Sequence, residues 1–148
     1  MNHVEKIMSM LNRRDLSVAD VMLPLDVCPL ANQRTLLKEV LDQMDVHRLG
    51  MACVIDSDRR LVGVITEGDL RRKLLRVQKP LPALLTDDVE THAIKTPITA
   101  NPDLPLIEAL ALMSDRKIWD LPVVDRNMKV LGLLHLHQAL IAALRPPD

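Results

Sequence analysis

Between Thr35 and Met44, apolar residues fall at Leu36, Leu37, Val40, Leu41 and Met44, the spacing of one face of an amphipathic helix. Downstream, Met51-Ala-Cys-Val-Ile55 is an unbroken apolar run bounded by Asp56-Ser-Asp58. It is too short for a helix and predicts a buried strand. The polar stretch Asp56 to Arg60 predicts a hairpin connection to a second strand, Leu61-Val-Gly-Val-Ile65. From Thr66 onward, Leu70, Leu74 and Leu75 restore the helical spacing.

The same order returns later in the chain. A shift of 69 positions lays Ala31-Asn32 on Ala100-Asn101, Leu37 on Leu106, Glu39 on Glu108 and Met44 on Met113. The same diagonal pairs Val54 with Val123, Asp56 with Asp125, Gly63 with Gly132, and Leu75-Arg76 with Leu144-Arg145. Two copies of one unit follow. The second predicts a helix over Leu106 to Met113, a strand over Leu121 to Val124, and a turn over Asp125 to Lys129. A strand over Val130 to Leu134 and a helix from about His137 to Leu144 complete it. The expected fold class is α/β (α+β), two tandem units of strand, helix, strand, strand and helix, with helices covering a small sheet. Units this small bury little surface alone, so pairing completes a core. The expected organisation is an N-terminal helical segment over 1–16, unit 1 over 17–77, a linker over 78–92 broken by Pro80 and Pro82, and unit 2 over 93–148. Val4 to Leu11 reads as an amphipathic segment, and Ser17 as the N-cap of a short helix over Val18 to Met22.

Composition narrows the chemistry. The 148 residues are 48% hydrophobic and 26% charged, an ordinary globular balance. There is no Phe or Tyr, and Trp119 is the sole aromatic residue. The core therefore relies on aliphatic side chains, with Met8, Met10, Met22, Met44, Met51 and Met113 read as packing. Any bound base would be flanked by aliphatic groups, with little aromatic stacking. A net charge of −1 offers no broad basic field for nucleic acid. No apolar run approaches the roughly 20 residues of a membrane span, and Met-Asn-His-Val-Glu-Lys lacks a secretory pattern. Cys28 and Cys53 form no C-x-x-C, which argues against a disulfide framework and a zinc knuckle. The expected location is the reducing cytoplasm.

Candidate chemistry concentrates in Gly63-Val-Ile-Thr-Glu-Gly-Asp69, where a strand gives way to a helix. A helix start offers unpaired N–H groups to an anion, and the Thr66 hydroxyl adds a donor. Asp69 projects a carboxylate able to accept from both hydroxyls of a ribose. The same Thr-x-x-Asp pattern also reads as a capping box that satisfies the helix end by itself. No G-x-S-x-G, H-E-x-x-H or Walker loop occurs, so this chain is not expected to be an enzyme.

The tandem unit, the strands ending in Cys-Val-Ile-Asp56 and Leu-Pro-Val-Val-Asp125, and Thr66-x-x-Asp69 together resemble a pair of cystathionine-β-synthase (CBS) domains. Asp69-Leu-Arg-Arg72 and Gly132-Leu-Leu-His-Leu-His137 resemble the CBS pair that follows the isomerase domain of arabinose-5-phosphate isomerases. The resemblance implies a regulatory module, two units packed as a pseudo-twofold pair with nucleotides in clefts between them. Candidate effectors are AMP, ADP, ATP or a CMP-linked sugar, with no obligatory cofactor. It further implies a homodimer that binds neither nucleic acid nor membrane and controls a sugar-phosphate isomerase or another partner. The alternative is a structural dimerisation module with vestigial clefts. Carried over, Thr66 faces the phosphate and Asp69 the ribose, Leu49, Gly50, Met51 and Ala52 line the base, and Ile65 supplies an aliphatic wall. Arg71 and Arg72 lie within reach of a phosphate or are simply solvated. The second copy departs from the pattern, with His135 and Gln138 at the positions of Thr66 and Asp69 and Trp119 at that of Gly50. His135 and His137 are expected on one side of a strand end without a third metal ligand nearby, while Trp119, beside Asp120, closes the second cleft, stacks on a base, or covers the edge of the core or a dimer contact. The first copy is the stronger expected site.

Overall fold

A computed structural model describes residue 2, residues 5 and 6, and residues 13–146. The amphipathic segment expected over Val4 to Leu11 lies outside the described residues, save Glu5 and Lys6. In chain order the elements begin with α1 (Val18–Val21), β1 (Leu23–Pro24), a 3-10 turn (Leu25–Val27) and β2 (Leu30–Asn32). The first repeat continues with α2 (Leu37–His47), β3 (Met51–Ile55), β4 (Leu61–Thr66) and α3 (Glu67–Arg76). Two short helices follow, α4 (Leu81–Leu85) and α5 (Val89–His92). The second repeat supplies α6 (Leu106–Arg116), β5 (Asp120–Val124), β6 (Val130–His135) and α7 (Leu136–Leu144). Among the described residues no helix is long and apolar enough to cross a membrane.

The chain forms two compact units. One, the first-repeat unit, comprises Asp26–Pro97 with Asn127–Val130. The other, the second-repeat unit, comprises Met1–Leu25, Ile98–Arg126 and Leu131–Asp148. Each compact unit is discontinuous in sequence, because each repeat's sheet takes an edge from outside its own repeat. In the first-repeat unit β2 runs parallel to β3, and β3 is antiparallel to β4. Ile94 then closes the outer edge of β4, exchanging Val64 N–H to Ile94 O at 3.0 Å and Ile94 N–H to Val64 O at 2.8 Å. In the second-repeat unit β1 pairs antiparallel with β6, Leu23 against Leu133, and β5 lies on the other side of β6.

The edge at Gly132 requires glycine, and the edge at Gly63 is tight for anything larger. A Cβ on Gly132 would stand 2.4 Å from the Leu23 carbonyl oxygen, and one on Gly63 would stand 3.0 Å from that of Ile94. The repeat that matches these glycines in sequence therefore matches them in role.

The 69-residue shift extends to backbone detail. Helix α2 maps onto α6, and strands β3 and β4 map onto β5 and β6 residue for residue. Left-handed caps at Arg48 and Lys117 and left-handed turn residues at Arg59 and Met128 recur at the same shift. The turn at Asp56 is held by its own carboxylate, which accepts from Asp58 N and Arg60 N at 2.9 Å each.

Helix α2 starts at Leu37, later than its apolar spacing suggests. Leu36 is extended and bridges Asp88, while Leu37 N–H donates to Asp87 O at 2.9 Å and Val89 N–H to Thr35 O at 2.8 Å. Tertiary pairing thus removes Thr35 and Leu36 from the helix. The second-repeat unit repeats the arrangement with Ser17 against Pro105 and Leu106 N–H on Leu16 O at 2.8 Å. Ser17 precedes α1 as expected, and Asp20 Oδ2 accepts from its backbone N–H at 2.9 Å.

The segment expected to be a linker is packed structure. Pro80 and Pro82 open α4, where a missing N–H costs nothing, instead of merely breaking a helix. Leu84 and Val89 are buried with Leu37, Val40 and Met44 of α2 and with Ala52, Val54 and Ile65 of the sheet. Lys79 Nζ donates to both oxygens of Asp87 at 2.7 and 2.9 Å, and His92 Nε2 lies 2.8 Å from Oδ2. Lys79 and then His92 hold the Asp87 carboxyl below its ordinary value.

Leu84→Ala is expected to cost about 2–5 kcal/mol in urea denaturation. The same change at half-exposed Leu81 is expected to stay within about 0.5 kcal/mol. A loose linker would give equal, small losses. Because Asp87 is lowered on folding, its stabilisation is full above the ordinary carboxylate range of about pH 4 and fades as pH falls through the lower folded value. The margin of the wild type over Asp87→Asn in acid denaturation is expected to shrink in that direction.

Candidate functional site at the start of helix α3

Strand β4 ends at Thr66, whose extended backbone turns the chain into α3. The turn is anchored by Glu67 N–H donating to Gly50 O at 3.0 Å, which ties the start of α3 to the approach of β3. The Thr66 hydroxyl oxygen accepts from Asp69 N–H at 3.1 Å, satisfying one of the free donors of the first turn. The same hydroxyl donates to Asp69 Oδ2 at 2.7 Å. Arg72, one turn on, donates from Nη2 to Asp69 Oδ1 at 2.7 Å. Asp69 is 9% exposed and is the buried residue of α3, whereas the Arg72 side chain is 50% exposed. A Cβ on Gly68 would lie 3.3 and 3.4 Å from the two terminal nitrogens of Arg72, so the guanidinium folds back over the Gly68 backbone.

Both oxygens of the carboxylate are engaged from within α3 and its cap. Each still has a lone pair for another donor. Chemically the entrance offers an acceptor pair for hydroxyl groups beside a helix start and a cation.

The other residues expected here are distributed by the pleat. Ile65 falls on the sheet face opposite to Thr66 and is fully buried in the core under α2 with Ala52. Its aliphatic surface therefore packs against the helices of its own unit. Leu49 and Met51 are buried as well. Gly50 sits beneath Glu67, whose Oε2 would lie 3.1 Å from a Cβ placed there. Arg71 is exposed and makes no ion pair among the described residues.

In the second-repeat unit the scaffold is the same and the chemistry differs. Leu136 N–H donates to Trp119 O at 2.9 Å, the counterpart of the Glu67–Gly50 bond. His135 occupies the cap position without a side-chain cap bond, and its Nδ1 lies 2.7 Å from Asp120 Oδ1. Asp120 is 4% exposed. Trp119 is 70% exposed, and His137 and Gln138 are exposed on α7. The expectation that His135 and His137 share one side of a strand does not hold. The strand ends at His135 and the helix starts at Leu136, so the two-residue alternation no longer applies. Among the described residues no group of three His, Cys, Asp or Glu side chains is placed to hold a metal ion.

Two contacts escaped the reading of the sequence, though each carried a signal. Asp69 and Arg72 stand at i, i+3 on one helix, the spacing of a helical ion pair. Asp120 and His135 are the repeat counterparts of Met51 and Thr66, which are cross-strand partners. The Lys79–Asp87–His92 cluster had no local signal, because the segment holding it reads as a connection.

Residues 18–76 and 88–145 match the CBS domain. The chain belongs to the CBS domain family and carries the domain as a tandem pair. An uncharacterized protein of Helicobacter pylori is 39% identical over 118 residues, 79% of this chain and 34% of that protein. Arabinose 5-phosphate isomerase KdsD of Pseudomonas aeruginosa is 33% identical over 129 residues, 87% of this chain and 38% of the isomerase. The chain thus spans little more than a third of the length of such curated relatives. The crystal structure of CBSX2 from Arabidopsis thaliana in complex with AMP matches with a TM-score of 0.75 at 26% identity. That match covers 86% of this chain and 96% of CBSX2.

Thr66→Ala is expected to lower stability by about 1 kcal/mol in urea denaturation, the usual loss of a helix cap. No loss would mean that the hydroxyl does not hold the start of α3.

Proposed function

We propose that the chain is a ligand-sensing regulatory module whose first-repeat site takes an adenosyl nucleotide. The observation that carries this reading is Asp69, a nearly buried carboxylate at a strand-to-helix entrance, in a chain 26% identical to one crystallised with AMP. Thr66 and the first N–H groups of α3 face the phosphate, and Asp69 accepts from the ribose hydroxyls. Leu49, Gly50, Met51 and Ala52 offer mainly backbone groups to the base, since their side chains are largely buried. The second-repeat site, with Trp119, Asp120, His135 and His137, binds more weakly, because the position of Asp69 is taken by Gln138 and the Asp120 carboxylate is engaged by His135. A sugar nucleotide fits the same chemistry and is the second ligand class. Regulation needs only that the ligand bind one state of the module better, with a coupling of roughly 1–3 kcal/mol. The identity to KdsD supports a sugar-phosphate isomerase as the controlled activity. Exposed Leu74 and Leu75 on α3 and Ile141 and Leu144 on α7 support assembly into a homodimer, and the composition suits the cytoplasm.

A structural dimerisation module is the competing reading. It is favoured by the bonds that Thr66 and Arg72 make to Asp69, which satisfy the α3 entrance from within.

Thermal denaturation with AMP, ADP, ATP and a CMP-linked sugar separates the two. At 100 times its dissociation constant, a ligand is expected to add roughly 2.7 kcal/mol of stability. Asp69→Ala is expected to abolish that gain. A midpoint unmoved by every compound leaves the dimerisation module.

A further inference from the structure

The bond from Arg72 to Asp69 places a cation on the carboxylate oxygen that a ribose hydroxyl would need. We propose that Arg72 is a gate that selects phosphorylated nucleotides over nucleosides, an inference that rests on nucleotide binding at the first-repeat site. The guanidinium lies over Gly68 and donates to Asp69 Oδ1 at 2.7 Å, while Thr66 holds Oδ2. A ribose hydroxyl that takes the guanidinium's place on Oδ1 breaks that bond. The loss of that charge-assisted bond must then be offset.

A nucleoside offers no compensation, and the freed guanidinium turns to water. A nucleoside phosphate carries an anion to the helix start at Thr66, one turn from Arg72. The long, half-exposed arginine stem lets the guanidinium swing from carboxylate to phosphate, exchanging one charge-assisted contact for another. Arg71 makes no bond to Asp69 and lies off the i, i+3 line, so the gate belongs to Arg72 alone. The second-repeat site has no such device. Position 141, the counterpart of Arg72, is isoleucine.

The test is calorimetric titration of the full chain with AMP and with adenosine, for the wild type, Arg72→Ala and Arg72→Lys. The wild type is expected to prefer AMP by about tenfold or more. Arg72→Ala is expected to bind adenosine more tightly and AMP more weakly, collapsing that preference, and Arg72→Lys to retain part of it. Unfolding without ligand checks that each variant is folded, which the exposure of Arg72 favours. If Arg72→Ala leaves the AMP-to-adenosine ratio unchanged, or weakens both ligands alike, the gate is overturned while nucleotide binding stands. If the wild type binds neither compound, nucleotide binding falls and the gate falls with it.

Discussion

Strand β4 has hydrogen-bonding groups on two sides, and its partner β3 satisfies one of them. The other side would be an open edge, costly if buried and adhesive if exposed. Ile94 fills it from outside the first repeat, and β1 does the same for β6 in the second-repeat unit. Much of the architecture follows from this requirement. The incoming segment lies against Gly63 or Gly132, which leaves no room for a side chain at Gly132 and little at Gly63. It draws Val89 and Leu84 into the core, and its pairing with Thr35 and Leu36 sets where α2 begins. The side chains of Lys79, Asp87 and His92 then fasten the segment at its polar face.

A strand held on both sides gives the α3 entrance a fixed frame. Thr66 stands opposite Met51 in the β3–β4 ladder, and the Glu67–Gly50 bond fixes the turn into the helix. The second-repeat unit has the same frame, with Leu136 on Trp119. What differs is the side-chain chemistry. In one unit a hydroxyl and a guanidinium share a carboxylate on the helix. In the other, a carboxylate on the strand meets an imidazole at the cap. Duplication preserved the geometry of the entrance and let its charges diverge. Two entrances built on one scaffold thus offer different side-chain chemistry.

The apolar periods of α2, β3 and β4, and of their counterparts in the second repeat, were legible because they record burial on one face of a local element. Thr66 and Asp69 were legible for a similar reason, since a cap and its N3 residue are three positions apart. The role of 78–92 was not. Prolines and short apolar stretches look alike in a loose connection and in a segment docked on a core, and the difference lies in what they meet. The His135–His137 expectation failed at the same kind of boundary, one residue short of where a strand period becomes a helical one.

The amino-acid sequence by itself determined the repeat, the elements within it, the aliphatic character of the core and the residues offered at the α3 entrance. Each depends on residues close together along the chain or on a fixed shift between copies. Tertiary structure decided which segment closes each sheet, that Ile65 turns into the core, and that Arg72 bonds to Asp69. Those outcomes depend on distances between groups that compete for the same partner, and spacing along a chain does not say which competitor arrives.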